Sequence, residues 1–299
     1  MMTLDILHER QQWPLSHKID HSLGVIDQFA SHFNGQVYVA YSGGKDSVVM
    51  LSLVEIIIPR VKCMFVMTGC ESPSVCRFIR QLKADGKDID IVRPGINLKD
   101  VFAKCGFPLV SKRVAHMVDC VRRNPYCDSS RHMLIRSNPH CIPDKWMYLI
   151  NEPYNTSDRC CFWLKKRPSY QYMKCTGRRP FIGLLASESD QRRTAYIRRG
   201  GCNSFGEDGK QHPSSLPLAI WTDEDVWAYI RDRGLKLPDI YERGARRTGC
   251  MGCGFGANIN SDGIDTLKRL WPKWYDLIMS YENNGVTYGE AIERMIIQQ

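Results

Sequence analysis

Residues 36–47 read Gln36-Val37-Tyr38-Val39-Ala40-Tyr41-Ser42-Gly43-Gly44-Lys45-Asp46-Ser47. The first half is an apolar, β-prone run, and Val48, Val49 and Leu51 just beyond it continue the chain as a helix. A strand that turns through two glycines into a helix N-terminus aims successive backbone N–H groups at one point, a nest for an oxyanion. Ser42 and Ser47 add hydroxyl donors and Lys45 adds a point charge. Asp46 is the odd member, because a carboxylate among phosphate ligands makes chemical sense when it holds Mg²⁺. The spacing fits neither GxxxxGK[ST] nor GxGxxG, so neither of those nucleotide-binding folds follows.

Working outward, strand-like runs recur at 63–67, 89–92 and 181–185, with a helical pattern at 74–84 between two of them. Ahead of the first strand, Ile19, Leu23, Ile26, Phe29 and Phe33 repeat at helical spacing and Asn34-Gly35 stops the helix. This alternation predicts an α/β domain with a parallel sheet, its ligand site at the C-terminal end of the first strand. Helical patterns at 224–232, 264–271 and 286–297 predict a smaller helical C-terminal lobe that carries cysteines. The expected organisation is an N-terminal helix at 1–35, a nucleotide-binding domain at 36–222 and the helical lobe at 223–299. Residues 105–158, rich in Pro, Asn, Cys and Arg, read as an irregular basic insertion or flap.

The chain has 299 residues, 43% hydrophobic and 24% charged, which excludes disordered and fibrous classes. Its first twenty residues lack the apolar centre of a signal peptide, and no apolar run reaches membrane-spanning length, so a soluble cytoplasmic protein is expected. The net charge of +9 is concentrated: residues 159–199 hold eleven Lys/Arg against two acidic residues. A local cationic surface favours polyanions such as nucleotides, sulfate esters or nucleic acid; solvated helix faces are the plain alternative.

Thirteen cysteines in a chain with no export signal point to reduced thiols that pack, react or bind metal. Cys160-Cys161 is an adjacent pair, and Cys250-Met251-Gly252-Cys253 is a CxxC flanked by glycines. Two such pairs can supply four thiolates to one centre, an iron–sulfur cluster or zinc. Cys70, after the second strand, is a candidate persulfide carrier as well as a packed thiol. Cys202 reads as a sulfur relay or as a packed cysteine. Cys120, Cys127 and Cys141, with His116, His132 or His140, form a weaker candidate metal set. Lys112 and Arg113 are candidate phosphate ligands, and Trp221 and Trp227 read as core residues.

The Ser42–Ser47 segment resembles the PP-loop of the adenine nucleotide alpha hydrolase superfamily, whose members bind ATP and cleave it between the α- and β-phosphates. Arg159-Cys160-Cys161 with Lys165, Lys166 and Pro168 resembles a stretch of the phosphoadenylylsulfate (PAPS) reductase-like family. So do Phe181-Ile182-Gly183-Leu184-Leu185-Ala186-Ser187-Glu188-Ser189 with Arg192, and Pro217-Leu218 with Trp221-Thr222-Asp223-Glu224-Asp225-Val226-Trp227. The tail Arg246-Arg247-Thr248-Gly249-Cys250-Met251-Gly252-Cys253-Gly254-Phe255-Gly256 is similar to a cluster-binding tail of that family. The cysteine arrangement is similar to the [4Fe–4S] site of assimilatory adenylylsulfate reductases.

The resemblance implies a Rossmann-like α/β domain with roles for specific residues. Ser42, Gly43, Gly44, Lys45, Ser47, Glu188 and Arg192 would bind the nucleotide, with Lys45 and Asp46 catalytic and Asp46 on Mg²⁺. Cys160, Cys161, Cys250 and Cys253 would hold a [4Fe–4S] cluster, with zinc as the lesser choice. Glu188 and Arg192 are also spaced for a plain helical ion pair.

Three departures bear on the branch. The loop is intact, whereas reductases alter it; the forty-six residues after Cys253 hold no cysteine; and Leu185 stands where the family has an Arg. The expectation is therefore an ATP pyrophosphatase that adenylates an acceptor for sulfur insertion. Its character is closest to the DNA phosphorothioation (Dnd and Ssp) enzymes and tRNA thiolases. ATP, a nucleic-acid acceptor and a sulfur donor such as a cysteine desulfurase are the expected partners, with homo-oligomerisation open. The alternatives are a sulfonucleotide reductase using an external thiol, and a non-catalytic, metal-stapled nucleic-acid-binding or regulatory module.

Overall fold

Short apolar runs pair into one sheet in a computed structural model that describes residues 2–206, 212–257, 259 and 262–298. The strands are β1 (Val37–Ala40), β2 (Cys63–Val66), β3 (Ile89–Val92), β4 (Arg179–Ile182), β5 (Asn203–Ser204) and β6 (Ser214–Ser215). Their order is β3-β2-β1-β4-β6-β5. β1 runs parallel to β2 and to β4, β4 runs parallel to β6, and β5 is antiparallel to β6. This is the predicted mostly parallel α/β sheet. The order reverses at β1, so its C-terminal end is the switch point where open parallel sheets leave a crevice.

The chain divides into two compact units, the first holding Met1–Phe65, Pro73–Val92 and Tyr170–Tyr241, the second Val66–Ser72, Arg93–Ser169 and Glu242–Gln299. In the first unit, helix Leu15–His32 buries Ser22, Ile26, Phe29 and Ala30. It ends where Asn34 and Gly35 turn left-handed, at φ 49° and 72°. Its Ser22 Oγ donates to the Pro217 carbonyl and accepts from Trp221 Nε1, at 2.8 and 2.9 Å. Trp221, fully buried, is a core residue as its sequence context suggested. Lys18, one turn before Ser22 on the same helix, is buried and pairs with Asp225 at 2.5 Å. Asp225 also closes a capping box with Thr222 on helix Asp223–Arg233. That helix thus belongs to the sheet-bearing unit, while residues 242–299 join residues 93–169.

The second unit has its own core. Residues 105–158 are not irregular: they form helices Lys112–Arg123 and Asp128–Leu134 and a 3₁₀ turn Asp144–Ile150. Phe107, Val118, Leu149, Leu267, Tyr288 and Met295 pack in one apolar cluster. Periodicity was obscured there by Pro and Asn at the helix junctions, but each short helix is amphipathic. No helix among the described residues is long and apolar enough to cross a membrane.

Candidate functional site

The Ser42–Ser47 loop leaves β1 in the first unit. Gly43 adopts φ 74°, and a Cβ there would stand 2.9 Å from Val75 Cγ1, so conformation and space both require glycine. Gly44 precedes helix Lys45–Ile57 as its N-cap. Ser47 Oγ donates to the Gly44 carbonyl at 2.8 Å and lies 3.2 Å from Ser42 Oγ, while the Lys45 N–H donates to Tyr241 Oη at 2.9 Å. Gly183, just past β4, comes so close that a Cβ would meet the Asp46 carbonyl at 2.9 Å.

The charges of this loop are balanced locally. The buried Lys45 ammonium lies 2.7 Å from Asp46 and 2.6 Å from Asp223. Burial pulls its pKa down, yet the hydrogen bonds it donates to the two carboxylates hold it above its ordinary value. Asp223, which the sequence reading passed over as a helix start, is thus part of the loop. Glu188 and Arg192 form the i,i+4 ion pair of the plainer reading, and Ser189 caps the helix that carries Arg192.

The second unit collects the cysteines. The 107–110 segment bridges on one side through Phe107 to Thr156 and on the other through Val110 to Phe255. These bridges place the approach to Cys160-Cys161 and the exit from Cys250–Cys253 on either side of one strand-like segment. A third tie comes from the Met251 N–H, which donates to the Cys70 carbonyl at 2.7 Å. Gly254 allows the convergence: a Cβ would stand 2.5 Å from the Pro108 carbonyl oxygen and 2.6 Å from Tyr288 Oη. Tyr288 in turn donates to the Gly252 carbonyl at 2.9 Å. Val110, β-branched and buried, is held at φ 62°, a left-handed conformation that costs energy in a side chain of that shape.

Cys70, Cys160, Cys161, Cys250 and Cys253 line one largely apolar pocket with Lys165. Cys160 and Cys161 open a helix whose next turn, Phe162–Lys166, is a π turn, a local unwinding frequent at functional sites. Within this pocket the thiols differ. A hydrogen bond from Cys70 and the Lys165 ammonium hold Cys250 well below the usual thiol range against the effect of burial. Cys161 is likewise pulled down by a hydrogen bond from Cys160 and by Lys112 and Lys165, while Cys160 and Cys70, the donors, are pushed up. Loss of water and the neighbouring Cys250 thiolate push Cys253 up to about 11. Glu71, buried and accepting from Thr68 Oγ1 at 2.6 Å, is raised by burial.

Sequence reasoning named Cys70 and Lys112 for other tasks and missed Glu71; Lys165 was legible as part of the family-like stretch that follows Cys160-Cys161, not as a neighbour of Cys250. Among the described residues no three His, Cys, Asp or Glu side chains stand close enough together to count as a formed metal site. Cys202 packs between Tyr196 Oη at 3.3 Å and His21 at 3.8 Å. Cys120 meets His116 at 3.5 Å, and Cys127 caps helix Asp128–Leu134 through Ser130, so these two serve local contacts. The 159–199 arginines are largely spent on backbone and rings: Arg178 donates to the Val37 carbonyl, Arg179 to Gly177, and Arg167 lies over Trp163.

An adenosine 5′-phosphosulfate reductase of Staphylococcus epidermidis is 28% identical over 100 residues, 33% of this chain and 38% of that protein. The chain thus spans about two fifths of the length of such curated relatives. A reductase of the same name from Geobacillus kaustophilus is 22% identical over 249 residues, 82% of this chain and 84% of its own. The PAPS reductase of Candida auris, solved as a phosphate complex, superposes with a TM-score of 0.46 at 16% identity, covering 84% of this chain and 96% of that one. Residues 36–122 and 143–254, more than half of the sequence, match the phosphoadenosine phosphosulfate reductase domain, and the chain belongs to that family.

Proposed function

We propose that the chain reduces a sulfonucleotide, cleaving an adenylated sulfate to AMP and sulfite. The observation that carries this reading is the cysteine pocket, where Cys70, Cys160, Cys161, Cys250 and Cys253 line one space with Lys165. The reductase names of its relatives favour it over the ATP-dependent sulfur insertion that the intact loop suggested. In the reaction, the thiolate of an external dithiol attacks the sulfuryl sulfur and the S–O bond to the adenylate breaks, releasing AMP. The second thiolate attacks the resulting thiosulfonate at its thiol sulfur, closing a disulfide and expelling sulfite. The dithiol supplies both electrons.

In this reading Ser42, Gly43, Gly44, Lys45 and Ser47 receive the phosphate of the adenylate, with Glu188 and Arg192 as further nucleotide contacts. Lys112 and Lys165 present positive charge toward anionic sulfur groups, the kind of fixed electrostatic support that favours a charge-building transition state. Cys160, Cys161, Cys250 and Cys253 fit a [4Fe–4S] cluster by their chemistry: four sulfurs on one pocket, two already biased to thiolates as metal binding requires. When bound, the cluster would tie the two cysteine pairs together beside Lys165, while the electrons of the reaction come from the dithiol.

The unaltered Ser42–Ser47 loop favours a second reading, an ATP pyrophosphatase that uses Asp46-bound Mg²⁺ to adenylate a nucleic-acid acceptor before sulfur insertion. Anaerobic incubation with ATP, adenylylsulfate or its 3′-phosphorylated form, each with a dithiol, separates the two. Reduction predicts equal AMP (or its 3′-phosphorylated form) and sulfite from a sulfonucleotide. AMP and pyrophosphate from ATP, abolished by Asp46→Ala and with both sulfonucleotides untouched, would overturn it in favour of the second.

A further inference from the structure

The second unit holds another cavity, of about 240 Å³, lined by Lys104, Arg122, Arg123 and Arg159 against a single carboxylate, Asp119. Arg123 is accounted for, since its Nε and Nη2 take both Asp119 oxygens at 2.9 and 2.8 Å. Arg122 is not neutralised. Its Nη1 donates to the carbonyls of Leu149, Glu152 and Tyr154 at 3.3, 2.8 and 2.6 Å, which fix the guanidinium and leave its charge intact. Lys104 and Arg159 make no ion pair among the described residues, and the Lys104 ammonium sits 5.4 Å from the Trp163 ring centre.

A second observation points the same way. Thr156 lines the cavity, is fully buried, and its Oγ1 has no hydrogen-bond partner among the described residues. Buried hydroxyls are nearly always satisfied, and three uncompensated cations around one space repel one another. One kind of ligand answers both: a compact oxyanion, whose charge meets the cations and whose oxygen accepts from the hydroxyl.

We propose that this cavity binds a tetrahedral oxyanion of the phosphate or sulfate class, up to the size of pyrophosphate. The site is built wholly within the second unit and does not depend on the Ser42–Ser47 loop or on the proposed reduction. Arg122, locked by three carbonyls, is its fixed anchor, and Lys104 and Arg159 close over the ligand.

Calorimetric titration of the full chain with pyrophosphate, phosphate and sulfate at constant ionic strength tests this. The Lys45→Gln variant serves as background, so that the loop of the first unit contributes little. That background is expected to retain a saturable site, which Arg159→Gln or Lys104→Gln weakens about tenfold. The near-isosteric Thr156→Val weakens it severalfold, and removal of an exposed cation elsewhere, Arg198→Gln, leaves it unchanged. A preference for phosphate over sulfate, or the reverse, names the source of the ligand and supports the site either way. Absence of a saturable site in the Lys45→Gln background, or equal loss with Arg198→Gln, would overturn the proposal.

Discussion

The phosphate loop and the cysteine pocket are built on opposite electrostatic plans. In the loop, one buried lysine is answered by two carboxylates, Asp46 and Asp223, so the site is neutralised by its own residues. In the pocket, hydrogen bonds from Cys160 and Cys70, with the Lys112 and Lys165 ammonium groups, hold Cys161 and Cys250 below the usual thiol range. The loop itself is continuous in sequence, with Asp223 and Tyr241 as distant partners of Lys45, whereas the pocket is gathered wholly from segments near 70, 110, 160 and 250. A contiguous site tolerates change at a distance, whereas an assembled one depends on the glycines and strained backbone that bring its pieces together.

The sharpest way to break the comparison is at the thiols. Cys161→Ser should remove most of the iron and acid-labile sulfide from anaerobically purified protein, whereas Asp46→Ala should leave both unchanged. Equal loss in the two variants would erase the distinction. Next in size is the buried pair of the first unit. Lys18→Ala strands the Asp225 carboxylate, whose side chain is 15% exposed, and should cost about 3–5 kcal/mol in a urea melt. Its iron content should nevertheless match the wild type, because the damage lies in the sheet-bearing unit.

Gly254→Ala sharpens the same point from the other side. The added methyl collides with the Pro108 carbonyl and the Tyr288 hydroxyl, so a loss of about 1–3 kcal/mol is expected, this time accompanied by lower iron content. The smallest effect belongs to the capping box of helix Tyr288–Ile297. Thr287→Ala removes the acceptor for the Glu290 N–H and should lower stability by about 1 kcal/mol without touching iron.

Sequence was informative where function is written in consecutive residues. The run from Val37 to Ser47 declared its strand, glycine turn and helix because each step follows from local propensity. The two cysteine pairs were legible as a donor set by spacing and resemblance. Asp223 could not be read as a partner of Lys45, because they stand 178 positions apart and its own neighbours describe only a helix N-terminus. Lys165 was legible in the family-like stretch after Cys160-Cys161, but its place beside Cys250 was not, because the two stand 85 positions apart. Residues 105–158 looked irregular because their helices are short and broken by Pro and Asn, although Phe107, Val118 and Leu149 carry a buried face.

The most direct measurement pairs nucleotide binding with sulfite release in Cys250→Ser. Division of labour between the loop and the pocket predicts that the variant binds AMP with the wild-type Kd and releases no sulfite from adenylylsulfate in the presence of a dithiol. Sulfite release at the wild-type rate would contradict it, since the cysteine pocket would then have no part in the chemistry.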